Sequence, residues 1–68
     1  MAEIIFLVEE DPESGYVARA IDKAIFTQAD TLEELRRMVR DAVQCHFDDA
    51  DRPQFIRLHI VREEVIAS

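Results

Sequence analysis

The side-chain types of a metal site occur together in one stretch of the chain. Cys45 and His46 are followed by Asp48 and Asp49, and His59 lies further along. Metal ligands must converge on one point, whereas neighbouring residues of a helix point about 100° apart. A set made of His46, Asp49 and His59 is the alternative, but a histidine at the edge of the core beside a solvated acidic turn is the better interpretation. We therefore expect no metal site.

Cys45 and His46 also have the residue types of a nucleophile and its base. Adjacent residues on a helix cannot form the hydrogen-bonded pair that activates a thiol, and no third, orienting group is identifiable. We interpret Cys45 as a small, partly buried thiol. The sequence does not support a thiamine-dependent dehydrogenase either. The active site of such an enzyme needs a glycine-rich loop that holds pyrophosphate and metal, and this chain has one glycine. We expect no cofactor and no enzymatic activity.

Strands occupy the first part of the chain. Residues 3–9 predict a central strand partly covered on both sides, and the two faces would carry Ile4, Phe6 and Val8, and Ile5 and Leu7. Residues 10–15 contain the proline, glycine and acids of a turn, so residues 16–21 are expected to return antiparallel. After a polar break at Asp22 and Lys23, residues 24–28 predict a short third strand with Ile25 and Phe26 on opposite faces.

One helix is expected over residues 31–47. Thr31 is suited to cap it, with Glu34 as the partner in a capping box. Its buried stripe would consist of Leu32, Leu35, Val39, Ala42, Val43 and His46.

Residues 54–62 alternate as a half-buried strand, with Ile56, Leu58 and Ile60 facing the core and Phe55, Arg57, His59 and Val61 facing outward. The tail 63–68 contains Val65 and Ile66, which are apolar enough to pair with a second copy. The expected fold is therefore α+β: a single β-β-β-α-β domain over residues 1–68, with an antiparallel sheet and one helix packed across it. The first three strands would form a meander, and the last strand would return to an edge of the sheet.

Size and charge restrict the classes of function. A chain of 68 residues buries only about 60% of its unfolded surface, so self-association as a homodimer or higher oligomer is expected. The net charge of −7 disfavours direct binding of nucleic acid and favours a basic protein partner. The single cysteine fits a reducing compartment, and the apolar run near residue 4 is too short for a signal peptide or membrane span. We expect a cytoplasmic protein.

Three short motifs resemble a known family in their order and spacing. They are Gly15-Tyr16-Val17-Ala18, Thr27-Gln28-Ala29-Asp30 and Thr31-Leu32-Glu33-Glu34. Together, over roughly residues 4–47, they resemble the N-terminal domain of HicB-type antitoxins, as a solitary HicB-like domain of the UPF0150 or DUF1902 type. The chain departs from the family pattern at residues 20–24, which lack the usual proline and glycine, and the resemblance implies a solitary domain without the DNA-binding half.

The resemblance implies a non-enzymatic protein-interaction domain. Its partner would be a small basic HicA-like toxin that cleaves RNA, and dimers or tetramers are usual in such proteins. The candidate partner-binding residues are Tyr16, Arg19, Arg57 and His59. The simpler interpretation makes Tyr16 a cross-strand packing residue and the arginines ordinary protection of a sheet edge.

Two alternative functions remain open. One is a structural homo-oligomer with no toxin partner. The other is a minimal metal-dependent nuclease, since the family's sheet is similar to part of the RNase H fold. Two-metal catalysis needs carboxylates clustered on adjoining strands, whereas Glu9, Glu10 and Asp11 crowd a predicted turn. The nuclease is therefore the least favoured alternative.

Overall fold

The computed structural model describes residues 3–13 and 15–68. Within this part the chain forms four strands and one helix in the expected β-β-β-α-β order. The elements are β1 (Glu3–Asp11), β2 (Gly15–Ala20), β3 (Phe26–Ala29), α1 (Leu32–His46) and β4 (Phe55–Val61).

The described strands form one sheet in the order β3-β2-β1-β4. β1 and β2 pair antiparallel, with Phe6 opposite Ala20, and β2 pairs antiparallel with β3, with Arg19 opposite Phe26. The predicted three-stranded meander and the central position of β1 are thus confirmed. β1 is central because β2 and β4 pair with its two edges. Only one of its faces is covered by the helix, so the expected partial cover on both sides is not found, and Ile5 on the other face is 37% exposed.

The fourth strand corrects the expectation of an entirely antiparallel sheet. β4 lies at an edge, as expected, but it runs parallel to β1, from Glu3 opposite Phe55 to Glu9 opposite Val61. The reason is the connection: β3 runs in the same direction as β1, and α1 carries the chain back before β4 begins. Such a crossover through a helix delivers a strand parallel to the one that preceded the helix.

The core lies between the sheet and the helix. Ile4, Phe6 and Val8 on β1 are at most 1% exposed, and they meet Leu35 and Val39 of α1 in one cluster. The predicted alternation along β1 is confirmed, since the intervening residues face the other side of the sheet. Each fully buried aliphatic or aromatic side chain of this kind contributes roughly 1.5–3 kcal/mol to folding.

Both ends of α1 are capped. The Thr31 hydroxyl accepts a hydrogen bond from the backbone N–H of Glu34 at 3.1 Å, which confirms the predicted N-cap. At the other end the N–H of Phe47 donates to the carbonyl of Val43 at 3.1 Å. Glu33 and Glu34 lie in the first turn, where the helix dipole favours negative charge.

The buried stripe of α1 is shorter than the sequence predicts. Leu35, Val39 and Val43 are buried and Leu32 and Ala42 are half-buried, whereas His46 is exposed. The expectation of a buried His46 is wrong because this residue lies in the last turn of the helix. Its ring there contacts that of Phe47 edge to face, with 4.9 Å between the centroids.

The hairpin between β1 and β2 closes on Gly15. Its φ of +83° belongs to the left-handed region, which side-chain-bearing residues rarely adopt. A Cβ at this position would lie 2.4 Å from the carbonyl oxygen of Ala29 and 2.8 Å from the Cα of Asp30. Glycine is therefore required both by the turn and by the close approach of the chain that leaves β3.

Candidate protein-interaction surface

The sheet has one face that the helix does not cover. We call it the outer sheet face, and the strand registers place on it alternate residues of all four strands. Its members are Glu3, Ile5, Leu7 and Glu9 of β1, Val17 and Arg19 of β2, Phe26 and Gln28 of β3, and Phe55, Arg57, His59 and Val61 of β4. This face is the opposite of the one that carries Phe6 and the core.

Large apolar side chains are exposed on the outer sheet face. Phe55 is 66% exposed, Phe26 61%, Val61 40% and Ile5 37%. Ile25 is buried in the core whereas Phe26 is exposed, which confirms the prediction that these two side chains lie on opposite faces. Phe26 and Phe55 lie on the two edge strands, with charged residues of the face between them. Exposed aromatic and aliphatic side chains on one face are typical of an interaction surface.

Two ion pairs cross the outer sheet face. The Arg57 guanidinium donates through Nε and Nη2 to the two carboxylate oxygens of Glu3, the second bond at 3.3 Å. This hydrogen bond lowers the pKa of the Glu3 carboxyl and, in turn, raises the pKa of Arg57. The second ion pair joins Nη2 of Arg19 to Oε1 of Glu9 at 3.7 Å. Both arginines are therefore neutralised by acids of β1.

The four candidate partner-binding residues do not share one face. Arg19, Arg57 and His59 lie on the outer sheet face, and His59 is opposite Leu7 in the register. Tyr16 lies on the helix side, where it packs against the core. Its hydroxyl donates to Glu10 at 3.1 Å, and this bond to a carboxylate raises the pKa of Tyr16. The structure thus brings three of the four residues together and separates the fourth.

Acidic side chains surround the tip of the β1–β2 hairpin. Two shallow cavities of about 270 and 400 Å³ lie there, lined by Glu9, Glu10, Asp11, Pro12, Gly15, Tyr16, Val17 and Asp30. Arg62 approaches Glu10 at 3.7 Å. Glu9, Glu10 and Asp11 were expected in a turn, but they form the end of β1, which is two residues longer than predicted. Alternation along the strand places Glu10 on the face opposite to Glu9 and Asp11, so the three acids do not converge. The adjoining strands β2 and β4, as the structure describes them, add none of the carboxylates that a two-metal site requires.

The candidate metal ligands are also apart. His59 lies on the outer sheet face and His46 on the helix, so the sheet stands between them. Asp49 pairs with Arg52, and no three His, Cys, Asp or Glu side chains within residues 3–13 and 15–68 could hold one ion. Cys45 is exposed, so the expectation of a partly buried thiol is wrong. The last turns of the helix leave the residue in solvent.

A second recess was not anticipated from the sequence. It lies on the helix side of the sheet between α1 and β4, and we call it the α1–β4 groove. Adjoining cavities of about 270 and 390 Å³ form it, lined by Arg36, Val39, Arg40, Val43, Gln44, Arg52, Pro53, Gln54, Phe55, Ile56 and Leu58. The spacing of Arg36 and Arg40 places them on one flank of the helix, but only the position of β4 shows what they line.

No helix in the part of the chain that the structure describes has the length and apolar character needed to cross a bilayer. No family model matches the sequence, and no solved structure matches it either.

Two relatives are similar over most of their length. One is a UPF0150 protein of Archaeoglobus fulgidus, 59% identical over 51 residues, which cover 75% of this chain and 76% of that protein. The other is a UPF0150 protein of Thermotoga maritima, 42% identical over 65 residues, which cover 96% of this chain and 91% of that protein.

Proposed function

Since the chain belongs to the UPF0150 family, we propose that it is a non-enzymatic protein-interaction domain whose partner is a basic protein. The exposed apolar group on the outer sheet face is the observation that carries this proposal. Phe26 on β3 and Phe55 on β4 would anchor the partner at the two edges of this face, because exposed aromatic side chains that become buried on association supply much of the binding free energy.

Charge supports the choice of a basic partner. The net charge is −7, and acids concentrate at the hairpin tip that borders the outer sheet face. The arginines of that face are already paired with Glu3 and Glu9, so they would not repel a cationic surface strongly. Opposite charges on two partners accelerate their encounter and exclude partners of the wrong sign.

The finer form of the proposal names the partner as a small HicA-like ribonuclease toxin. The family resemblance of the motifs from Gly15 to Glu34 supports it. A protein that binds RNA presents a basic surface to phosphates, and an acidic domain docked there would exclude the substrate. Inhibition would then follow from occupancy, and this chain would need no catalytic group.

The test uses the protein encoded by the reading frame next to this chain. The two would be co-expressed with one tag, and binding and RNA cleavage would be measured with the purified proteins. We expect a complex of micromolar affinity or tighter, together with slower cleavage. A neighbouring protein that is not basic, or that neither binds nor is inhibited, would contradict the toxin partner.

Matched variants locate the surface. Phe26→Ala combined with Phe55→Ala should weaken binding at least tenfold, because both rings are exposed in the free chain and leave the core intact. Met38→Ala, an exposed apolar residue on α1, is the control and should bind as the parent does. Equal binding by all variants would exclude the outer sheet face.

A structural homo-oligomer without a toxin partner is the second candidate. It is favoured by Val65 and Ile66, which are 96% and 79% exposed and follow the edge strand β4. Apolar side chains in this position are suited to pack against another copy.

A further inference from the structure

The α1–β4 groove is open because the helix is not centred on the sheet. α1 packs against β3 and β2, which lie at the opposite side from β4. Ile56 and Leu58 are consequently only half-buried, and Ile60 is 47% exposed although its register places it on the core face. The groove thus has an apolar floor at the uncovered edge of the core.

The groove is basic in an otherwise acidic protein. Arg36 and Arg40 of α1 and Arg52 of the following loop line it. Among the described residues, no carboxylate lies within ion-pair distance of Arg36 or Arg40. These two guanidinium groups are therefore free to bind an acidic segment. A basic partner of the kind proposed above would be repelled from this groove.

The segment 62–68 has the complementary chemistry. It forms no helix or strand, and all its residues are exposed. The acids Glu63 and Glu64 precede the apolar pair Val65 and Ile66. This sequence of acidic and then apolar side chains is complementary to the groove, which is lined by arginines on the helix side and by apolar residues on β4.

The segment cannot fill the groove of its own chain. β4 carries the chain away from Ile56, and a residue advances at most about 3.3–3.6 Å along an extended strand. A reversal directly after Val61 would use residues 62–64. Val65 and Ile66 would then lie beside the end of β4, short of Ile56 and Arg40.

We propose that the segment 62–68 of a second copy occupies the α1–β4 groove. It pairs with the free edge of β4, and side chains alternate along it, so Glu63 and Val65 share a face. Val65 then covers Ile56 and Leu58, and Glu63 approaches Arg36 and Arg40. A two-fold axis makes the exchange reciprocal, so each copy fills the groove of the other. This interface rests on the second candidate function above, and it holds whether or not a basic partner binds the outer sheet face.

The experiment measures the mass of the full chain by sedimentation equilibrium over a range of concentrations. We expect a dimer. Arg36→Glu combined with Arg40→Glu should raise the dimer dissociation constant at least tenfold, and so should Val65→Asp combined with Ile66→Asp. Arg37→Glu, on an exposed neighbouring position of the helix, is the matched control and should dimerise as the parent does.

Charge exchange gives the decisive result. Glu63→Arg, added to the variant that has glutamate at positions 36 and 40, should restore much of the lost affinity, whereas Glu64→Arg, on the opposite face of the extended segment, should not. Circular dichroism checks that each variant remains folded, and the variants at 65 and 66 lie outside every helix and strand. A monomeric parent chain, or dimers indifferent to both sets of substitutions, would overturn the proposal. Binding of the basic partner, measured separately, would be unaffected by that outcome.

Discussion

Arg57 of β4 donates to both carboxylate oxygens of Glu3 on β1, although 54 residues separate them in the sequence. The pair lies on the outer sheet face and joins the first strand to the last. Arg57 is opposite Ile5 in the parallel register, so its side chain reaches diagonally to Glu3. The same contact connects the edge strand to the centre of the sheet.

The lowered pKa of Glu3 predicts a contribution to stability that depends on pH. A carboxyl whose folded pKa is depressed stabilises the fold above its unfolded pKa of about 4.5, and this contribution is lost as the pH falls through the folded pKa. Glu3→Gln should therefore flatten the acid side of the stability profile. Urea unfolding at several pH values measures the free energy of unfolding as a function of pH. Arg57→Gln should flatten the acid side of this profile as well. An unchanged acid profile in both variants would contradict the role of the pair.

Tyr16 gives a spectroscopic test, since it is the only tyrosine in the chain. Its hydrogen bond to Glu10 raises its pKa above the usual value of 10. The folded state holds the proton more tightly, so the associated stability is complete below pH 10 and is lost as the pH rises through the folded pKa. Tyrosinate absorbance should show the raised midpoint, and Glu10→Gln should lower it. A midpoint that the substitution leaves unchanged would assign the shift to another cause.

Gly15 is expected to tolerate no side chain. Gly15→Ala should destabilise the fold by about 1–3 kcal/mol, from the positive φ and from the contact with the carbonyl of Ala29. Asparagine tolerates a positive φ, but it carries the same Cβ, so Gly15→Asn separates the two causes. If the contact dominates, both variants lose similar stability in thermal unfolding. A mild asparagine variant would instead indicate that φ alone matters.

Removal of the helix cap should have a moderate cost. Thr31→Ala deletes the hydroxyl that accepts from Glu34, which typically costs about 1 kcal/mol. For a domain of this size that corresponds to a fall of roughly 4–8 °C in Tm. Thr31→Ser keeps the acceptor and is the control. Equal melting of the alanine and serine variants would show that the cap contributes little.

Two phenylalanines test the sidedness of the sheet. Phe6 is fully buried, so Phe6→Ala should cost about 3–5 kcal/mol and leave much of the chain unfolded. Phe26 is 61% exposed on the outer sheet face, and Phe26→Ala should change the free energy of unfolding by less than about 1 kcal/mol. Chemical denaturation of both variants compares them directly. Similar losses would mean that the outer sheet face is covered in solution.

Much of the fold could be predicted from local sequence patterns. The alternation from Ile4 to Val8 and the cap at Thr31 each depend on neighbours in the sequence, and the structure confirms both. The direction of β4 could not be predicted in this way, because apolar and polar residues alternate along half-buried strands in both parallel and antiparallel sheets. It depends on the path of the chain through α1. The α1–β4 groove follows from that path and was missed for the same reason.

The candidate surface was predicted in part, and the division of its residues has a simple cause. Arg57 and His59 are two positions apart, so a strand places them on one face. Tyr16 and Arg19 are three positions apart, so a strand separates them, and only Arg19 joins the outer sheet face. The alternation of side chains along a strand was therefore enough to predict that Tyr16 and Arg19 lie on opposite faces. The exposure of Phe26 and Phe55 required the location of the helix.

The parallel pairing of β1 with β4 has a consequence for synthesis on the ribosome. β1 emerges first, yet one of its edges remains unpaired until Phe55–Val61 has left the exit tunnel. The hairpin and the helix are formed by nearby residues and can assemble earlier, whereas closure of the long loop between Glu3 and Phe55 comes last. During that interval the nascent chain presents a central strand with a vacant edge, which is a template for pairing with other nascent chains. The residues of β4 are thus the ones that end this vulnerability.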